Sequence, residues 1–206
     1  MPLRQLLFSF NGEGISDYRF LIKVLDRLIP DIAYKLGKDV DILPIASSSN
    51  PKGMGFTEKM NAIYEESKGV HAILVHMDAD SATEKQVLQN KWTPFIESFS
   101  GDMTWIPIIP VKNLESWMLC DVAAIAEILY IEESDARNIM NGRQPENISD
   151  GKTLIEEMKE LADMDIAADY LHDLLAQSIS IQRLDTLDSF RTFRDRMTTA
   201  ITNLLQ

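Results

Sequence analysis

His71-Ala72-Ile73-Leu74-Val75-His76-Met77-Asp78-Ala79-Asp80-Ser81 reads as a buried β-strand that runs straight into a pair of aspartates. Carboxylates two residues apart on an extended chain point to the same side. Two such anions repel and raise each other's pKa unless a cation or hydrogen-bond donors stand between them. Open α/β sheets place ligands at the carboxyl ends of their strands. The stretch therefore predicts a strand end that carries a divalent-metal site.

Working outward, Gln5 to Phe10 is a short apolar run followed by Asn11-Gly12-Glu13-Gly14, a strand and then a glycine-rich turn. Ser16 to Leu28 has the apolar spacing of a helix, with Ser16 as N-cap and Pro30 as its stop. Val40 to Ala46 predicts a second strand, placed near an edge by Pro44. A loop spans Ser47 to Gly55, and a helix spans Phe56 to Ser67. After the Asp-x-Asp strand, Ser81 or Thr83 starts a helix to about Phe99, and Met103 to Ile109 forms a fourth strand. This alternation predicts βαβ units and a mostly parallel sheet. Beyond Pro110 only helices are expected, over Asn113–Tyr130, Gly151–Leu161, Ile166–Leu175 and Asp188–Leu205. Gly142 to Gly151 reads as a flexible connection. The expected division is an α/β domain over 1–111 and a helical C-terminal region over 112–206, packed on it.

The chain has 206 residues and one cysteine, Cys120, so an internal disulfide is excluded and no zinc-finger spacing exists. No apolar run approaches the length of a membrane span, and the N-terminus lacks a signal-peptide pattern. A cytoplasmic location is expected. The net charge of −12 argues against broad, phosphate-driven nucleic-acid binding, although bound metal or a basic partner subunit would offset it.

Three acidic clusters carry the chemistry. Glu13 follows the first strand, Asp78 and Asp80 follow the third, and Glu115 and Asp121 lie on the first C-terminal helix. In a parallel sheet Glu13 and the Asp pair share one edge. Carboxylate oxygens suit Mg²⁺ or Mn²⁺, ions that polarise phosphoryl oxygens and activate water. An isolated Asp-x-Asp is more often a turn or a helix cap than a metal site. Its place after an apolar strand, with Glu13 before it, favours the metal.

These motifs resemble a known family. Glu13-Gly14 with Ser16-Asp17 is similar to the Glu-Gly-x-Thr/Ser-Glu opening of TOPRIM (topoisomerase-primase) domains, and Asp78-Ala79-Asp80 resembles their Asp-x-Asp motif. Lys112 to Asp121 resembles the Arg-Glu-x-Glu-x-Trp-x-x-x-Asp block of a small bacterial TOPRIM-like family related to OLD-type nucleases. Asp150-Gly151-Lys152 and Asp188-Ser189-Phe190-Arg191 are similar to two further blocks of that family. Asp17 and Asn113 depart from the pattern, each standing where Glu or another acid is usual.

The resemblance implies a TOPRIM-like Rossmannoid fold and a Mg²⁺- or Mn²⁺-dependent nuclease, or a related phosphoryl-transfer enzyme, acting on nucleic acid in bacterial defence or DNA repair. Glu13, Asp78 and Asp80 would be catalytic, and Glu13, Asp78, Asp80 and Glu115 would hold the metal. It also implies an ATPase partner protein. The alternative is a non-catalytic interaction subunit on the same scaffold. No membrane partner is expected, and the chain is compatible with a homo-oligomer. Glu115 and Asp121 are six residues apart, about 120° around one helix, so Glu115 is the site residue and Asp121 a supporting acid. His76 reads as a core histidine in preference to a ligand, and Lys152 as either a surface or a site residue. Arg191 and Arg194, with Arg196 nearby, are the local candidates for nucleic-acid or partner contact, and a solvated helix face explains them equally well.

Overall fold

In the computed structural model, which describes residues 4–80 and 82–206, the leading strand is one extended run broken at Leu7. Its halves are β1 (Arg4–Leu6) and β2 (Phe8–Asn11). The exposed side chain of His71 accepts the Leu7 N–H at 2.9 Å, so the break leaves no orphan donor. Helix α1 (Ile15–Lys35) follows, then β3 (Val40–Ile42) and β4 (Ala46–Ser47), separated around Pro44. Helix α2 (Phe56–Glu66) leads into β5 (Ala72–His76). A helical run over 84–98 contains α3 (Glu84–Val87), a π turn (Leu88–Trp92) and α4 (Thr93–Ser98), and β6 (Thr104–Ile108) closes the sheet.

All pairings are parallel. One sheet has the order β4-β2-β5-β6, and β1 pairs with β3 beside it. The fold is α/β and Rossmann-like, with β4 on an edge and Pro44 in the link that splits the expected Val40–Ala46 strand into β3 and β4. Strand β5 is buried on both faces, which explains its unbroken apolar run. Ala72 and Leu74 face α1 and the C-terminal helices, whereas Ile73 and Val75 face α2 and the 84–98 helix.

Several boundaries depart from expectation. Pro30 lies inside α1, because Leu28, Ile29, Ile32 and Ala33 are buried on both sides of it and their packing offsets one missing backbone bond. The N-cap is Gly14, not Ser16. Thr83 caps α3, accepting the Gln86 N–H, while the alternative start at Ser81 lies outside the described residues.

The segment expected as one helix over 113–130 is two, α5 (Glu115–Met118) and α6 (Val122–Leu129). Asp121 starts the second, its Oδ1 accepting the Ala124 N–H at 3.4 Å and its Oδ2 the Ser180 N–H at 3.2 Å. Helix α7 (Glu133–Met140) was not expected. The connection after it is anchored: Glu146 accepts the N–H groups of Asp188 and Ser189, and Ile148 is buried. Helices α8 (Gly151–Leu161), α9 (Ala168–Ser178), α10 (Ile181–Leu184) and α11 (Asp188–Leu204) complete the chain.

One apolar core joins the two segments. Helix α9 lies along α1, and α11 packs against both β6 and α1. At the junction Trp117 is fully buried between Phe190 and Phe193, and its Nε1 donates to Ser189 Oγ at 2.8 Å. Trp117→Ala should therefore lower unfolding free energy by about 3–5 kcal/mol, read as a fall in the urea midpoint. A loss below about 1 kcal/mol would show that the ring does not anchor the helical segment.

Candidate active site

The chain turn from β2 into α1 is built around Asp17. Its Oδ2 accepts the N–H groups of Glu13 at 2.7 Å and Gly14 at 3.0 Å, closing the helix N-terminus. A side chain at Gly12 would meet Asp17 Cβ at 2.9 Å, so only glycine lets the turn fold this tightly. The same Oδ2 lies 2.9 Å from His76 Nδ1. His76 has the strand parity of Leu74 and therefore faces α1 from the end of β5.

The other nitrogen of His76, Nε2, lies 3.2 Å from Asp78 Oδ1, within ion-pair distance but without the alignment of a hydrogen bond. The ring is 1% exposed. Burial alone would push its pKa down, but the hydrogen bond to Asp17 and the close Asp17 and Asp78 carboxyl groups outweigh that and raise it to about 9. His76 is thus a cation at neutral pH, buried between two carboxyl groups. Asp17 is also buried, yet His76 and the two backbone donors hold its carboxyl below the usual range.

Glu13, Asp17, Asp78 and Glu115 line one polar cavity of about 260 Å³, with Ser16 and Lys152 on its wall. Glu115 comes from the first turn of α5 and is 4% exposed. A Cβ at Gly151 would stand 2.7 Å from Glu115 Cβ, so this glycine allows the start of α8 to close over the site. The next residue, Lys152, places Nζ 3.8 Å from Glu115 Oε1 while staying largely in solvent. Burial raises the Glu115 carboxyl, partly offset by Lys152. Burial also raises Glu13, helped by the charges of Asp78 and Asp17 against that of His76. Lys59, on α2, is pushed below its usual range by burial, against the charges of Glu13 and Asp17.

The structure thus brings together three of the four expected ligands. Asp80 is the exception. The strand ends at His76, and Asp80 is exposed in the left-handed region with φ of 51°, its N–H held by Lys112 O at 2.8 Å. The alternation that would align it with Asp78 requires extended backbone, and that has ended. Asp80 does not line the cavity. Asn113 is turned toward the 149–151 segment, with Nδ2 3.5 Å from Ser149 O.

Three site residues were read as something else or passed over. Asp17 entered as a departure from the resembled motif, His76 as core, and Lys59 was not singled out. The signal for His76 was its i, i−2 relation to Asp78 on the strand. The arginines expected to reach a partner are engaged within the chain: Arg191 with Asp188, Arg194 with Asp185, and Arg196 with Glu84 at 2.6 Å.

Oxygen donors of this kind suit Mg²⁺ or Mn²⁺, and Asp78 Oδ1 is a buried acceptor with no hydrogen-bond donor among the described residues. The carboxylates are not drawn together into a cage. Among the described residues no three His, Cys, Asp or Glu side chains stand close enough to hold a metal ion. The donor type fits the ion; the arrangement does not itself form a closed ligand set.

Compared with protein-family models, curated proteins and solved structures, the chain finds no match in any of the three. No helix among the described residues is long and apolar enough to cross a membrane.

The His76 cation makes stability pH-dependent. Its folded pKa lies above the unfolded 6.5, so its contribution is complete below about 6.5 and is lost as pH rises through about 9. Urea unfolding in chelator should show stability falling across that window. The slope should flatten in His76→Gln, and an unchanged slope there would remove His76 as its source.

Proposed function

We propose that the chain is a Mg²⁺- or Mn²⁺-dependent phosphodiester hydrolase of TOPRIM-like architecture, acting on nucleic acid in the cytoplasm. The observation that carries this reading is the convergence of Glu13, Asp78 and Glu115, from three separate elements, on one polar cavity at the carboxyl edge of a parallel sheet. Such edges are where this class of fold handles ligands.

Asp78 and Glu115, with Glu13 at the rim, would hold the ion, which supplies Lewis-acid stabilisation of a phosphoryl oxygen and a more acidic water. The chain's own residues do the remaining work. His76 fixes Asp78 from behind and offsets its charge, and Asp17 fixes His76. Glu13, whose carboxyl pKa burial raises above the ordinary range, is suited to take a proton from the attacking oxygen or return one to the leaving oxygen. Lys152, at the cavity wall, offers a phosphate its ammonium group.

A second reading is a non-catalytic subunit that works with an ATPase partner. The internally paired arginines and the absence of a ready-made metal cage among the described residues favour it.

Cleavage of plasmid, single-stranded DNA and RNA with Mn²⁺ or Mg²⁺ separates the two. Asp78→Ala and Glu13→Ala should each lower the rate by about 10²-fold or more. Asp80→Ala, at a carboxylate outside the cavity, should cost less than about tenfold. Full activity in both of the first two variants would refute the site. Failure to cut any of the three substrates, alone or with an ATPase partner, would leave the interaction subunit.

A further inference from the structure

Beyond Glu115 the carboxylate cavity adjoins a second one of about 320 Å³, and the two share Ser16, Glu115 and Lys152 as wall residues. The character of the walls changes across that boundary. Ile155 from α8 and Ala168 from α9 make the second cavity predominantly apolar. Its own polar groups are Glu156 and His172; His172 is 5% exposed and its Nδ1 has no hydrogen-bond partner among the described residues. Burial, reinforced by the charge of Lys152, lowers the imidazole pKa, so the ring is neutral at pH 7. A neutral imidazole offers one donor and one acceptor. Nearly all buried polar groups in proteins are paired, so an unpaired one beside a cavity calls for an explanation.

The chemistry of the two cavities is complementary to the two halves of a nucleotide. One side has carboxylates for a metal and Lys152 for a phosphate. The other is a small slot with an apolar wall edged by His172, a neutral donor–acceptor group, and the Glu156 carboxyl, a combination that suits a flat ring with a polar edge. Ligand cavities run from about 300 to 1,000 Å³, so the second one suits a single ring system and excludes a stacked base pair.

We propose that the His172 cavity is a nucleobase subsite. It takes the unstacked base of the nucleotide whose phosphate lies beside Lys152 and the carboxylates, and His172 binds the edge of that base. This inference rests on the phosphoryl-transfer reading above and narrows its substrate class. A base can enter such a slot only after leaving its helix, so the substrate is single-stranded nucleic acid or a flipped or frayed end. His172 is then a specificity-determining residue that contacts substrate, remote from the reacting phosphorus.

The test is titration of the intact protein, in Mg²⁺, with adenosine 5′-monophosphate and with ribose 5-phosphate, which lacks the base. Binding is followed by calorimetry and by the ring-proton NMR signals of the three histidines, with His172→Ala identifying its own resonance. Adenosine 5′-monophosphate should bind about tenfold or more tighter than ribose 5-phosphate and shift the His172 signals. His172→Ala should erase most of that preference while leaving ribose 5-phosphate affinity within about twofold. Ala168→Phe, one helical turn before His172, fills the slot while keeping the imidazole and should erase the preference as well, which covers the case in which His172→Ala does not fold.

Equal affinity for the two ligands in the wild type would overturn the subsite, as would a preference that survives both substitutions. In either case, ribose 5-phosphate binding that is lost in Asp78→Ala would leave the phosphoryl site standing. Binding of neither ligand at millimolar concentration would overturn the subsite and count against the phosphoryl reading too.

Discussion

The hydrogen bond between Asp17 and His76 joins the N-terminus of the first long helix to the end of the central strand. Asp17 Oδ2 receives three donors, two from the backbone of its own turn and one from the histidine ring. Those contacts fix where α1 starts, how tightly the chain turns after β2, and where the Glu13 backbone lies. They also give the buried ring a countercharge. Removing either partner would leave an uncompensated polar or charged group in the core, a change that typically costs about 3–5 kcal/mol. The interaction thus serves the fold and the candidate site at once. Its geometry places Asp78 on the opposite side of the same ring, so Asp78 inherits the order of the helix–strand junction.

The helical segment supplies the other wall. Glu115, Lys152 and His172 all come from residues beyond the sheet, and each is held by a different device. Glu115 starts a short helix whose Trp117 is clamped by Phe190 and Phe193. Lys152 follows a glycine that allows α8 to approach. His172 lies on α9, which is tied to α1 by Arg27. That guanidinium donates to Ala176 O at 2.7 Å and Ile179 O at 2.8 Å, pairing a cation with the negative end of the α9 dipole. The cavity walls are therefore set by tertiary packing across the two segments. A truncation that removes the helices removes half of the candidate site.

The sheet was legible because its signals are local. The run from Ala72 to His76 is apolar enough to be buried on both faces, and the alternation of strands and helices implies parallel order. Glu13, Asp78 and Glu115 were legible as acids at strand ends or on the following helix. Three features were not. Pro30 reads as a stop, but burial of Ile29, Ile32 and Ala33 carries the helix past it. The run from Asn113 to Tyr130 reads as one helix, but Asp121 caps a second one, which removes the angular relation between Glu115 and Asp121 on which their roles had been assigned. Asp80 reads as the strand partner of Asp78, but the backbone turns left-handed there. Each failure concerns a backbone direction that tertiary contacts decide. The pairing of Asp17 with His76, 59 residues apart, is of the same kind.

Charge distribution links the site to its ligand. The chain carries −12 overall, and the arginines of its last helix are matched by carboxylates of the same chain. A polyanion meets no broad basic surface on that helix to draw it in. The cations at the cavity act at short range. His76 is buried and committed to Asp17 and Asp78, Lys59 is partly desolvated beside Glu13, and only Lys152 extends largely into solvent. Several carboxylates facing one another with so little compensation are stable together only if some hold protons or a metal ion takes up their charge. Burial raises the carboxyl pKa of both Glu13 and Glu115, in the direction of the first solution. A divalent ion would be the second solution, turning the cavity from a repeller of phosphate into an attractor only where the carboxylates converge. Recognition of nucleic acid by this surface would then depend on the ion and on the groups immediately around it.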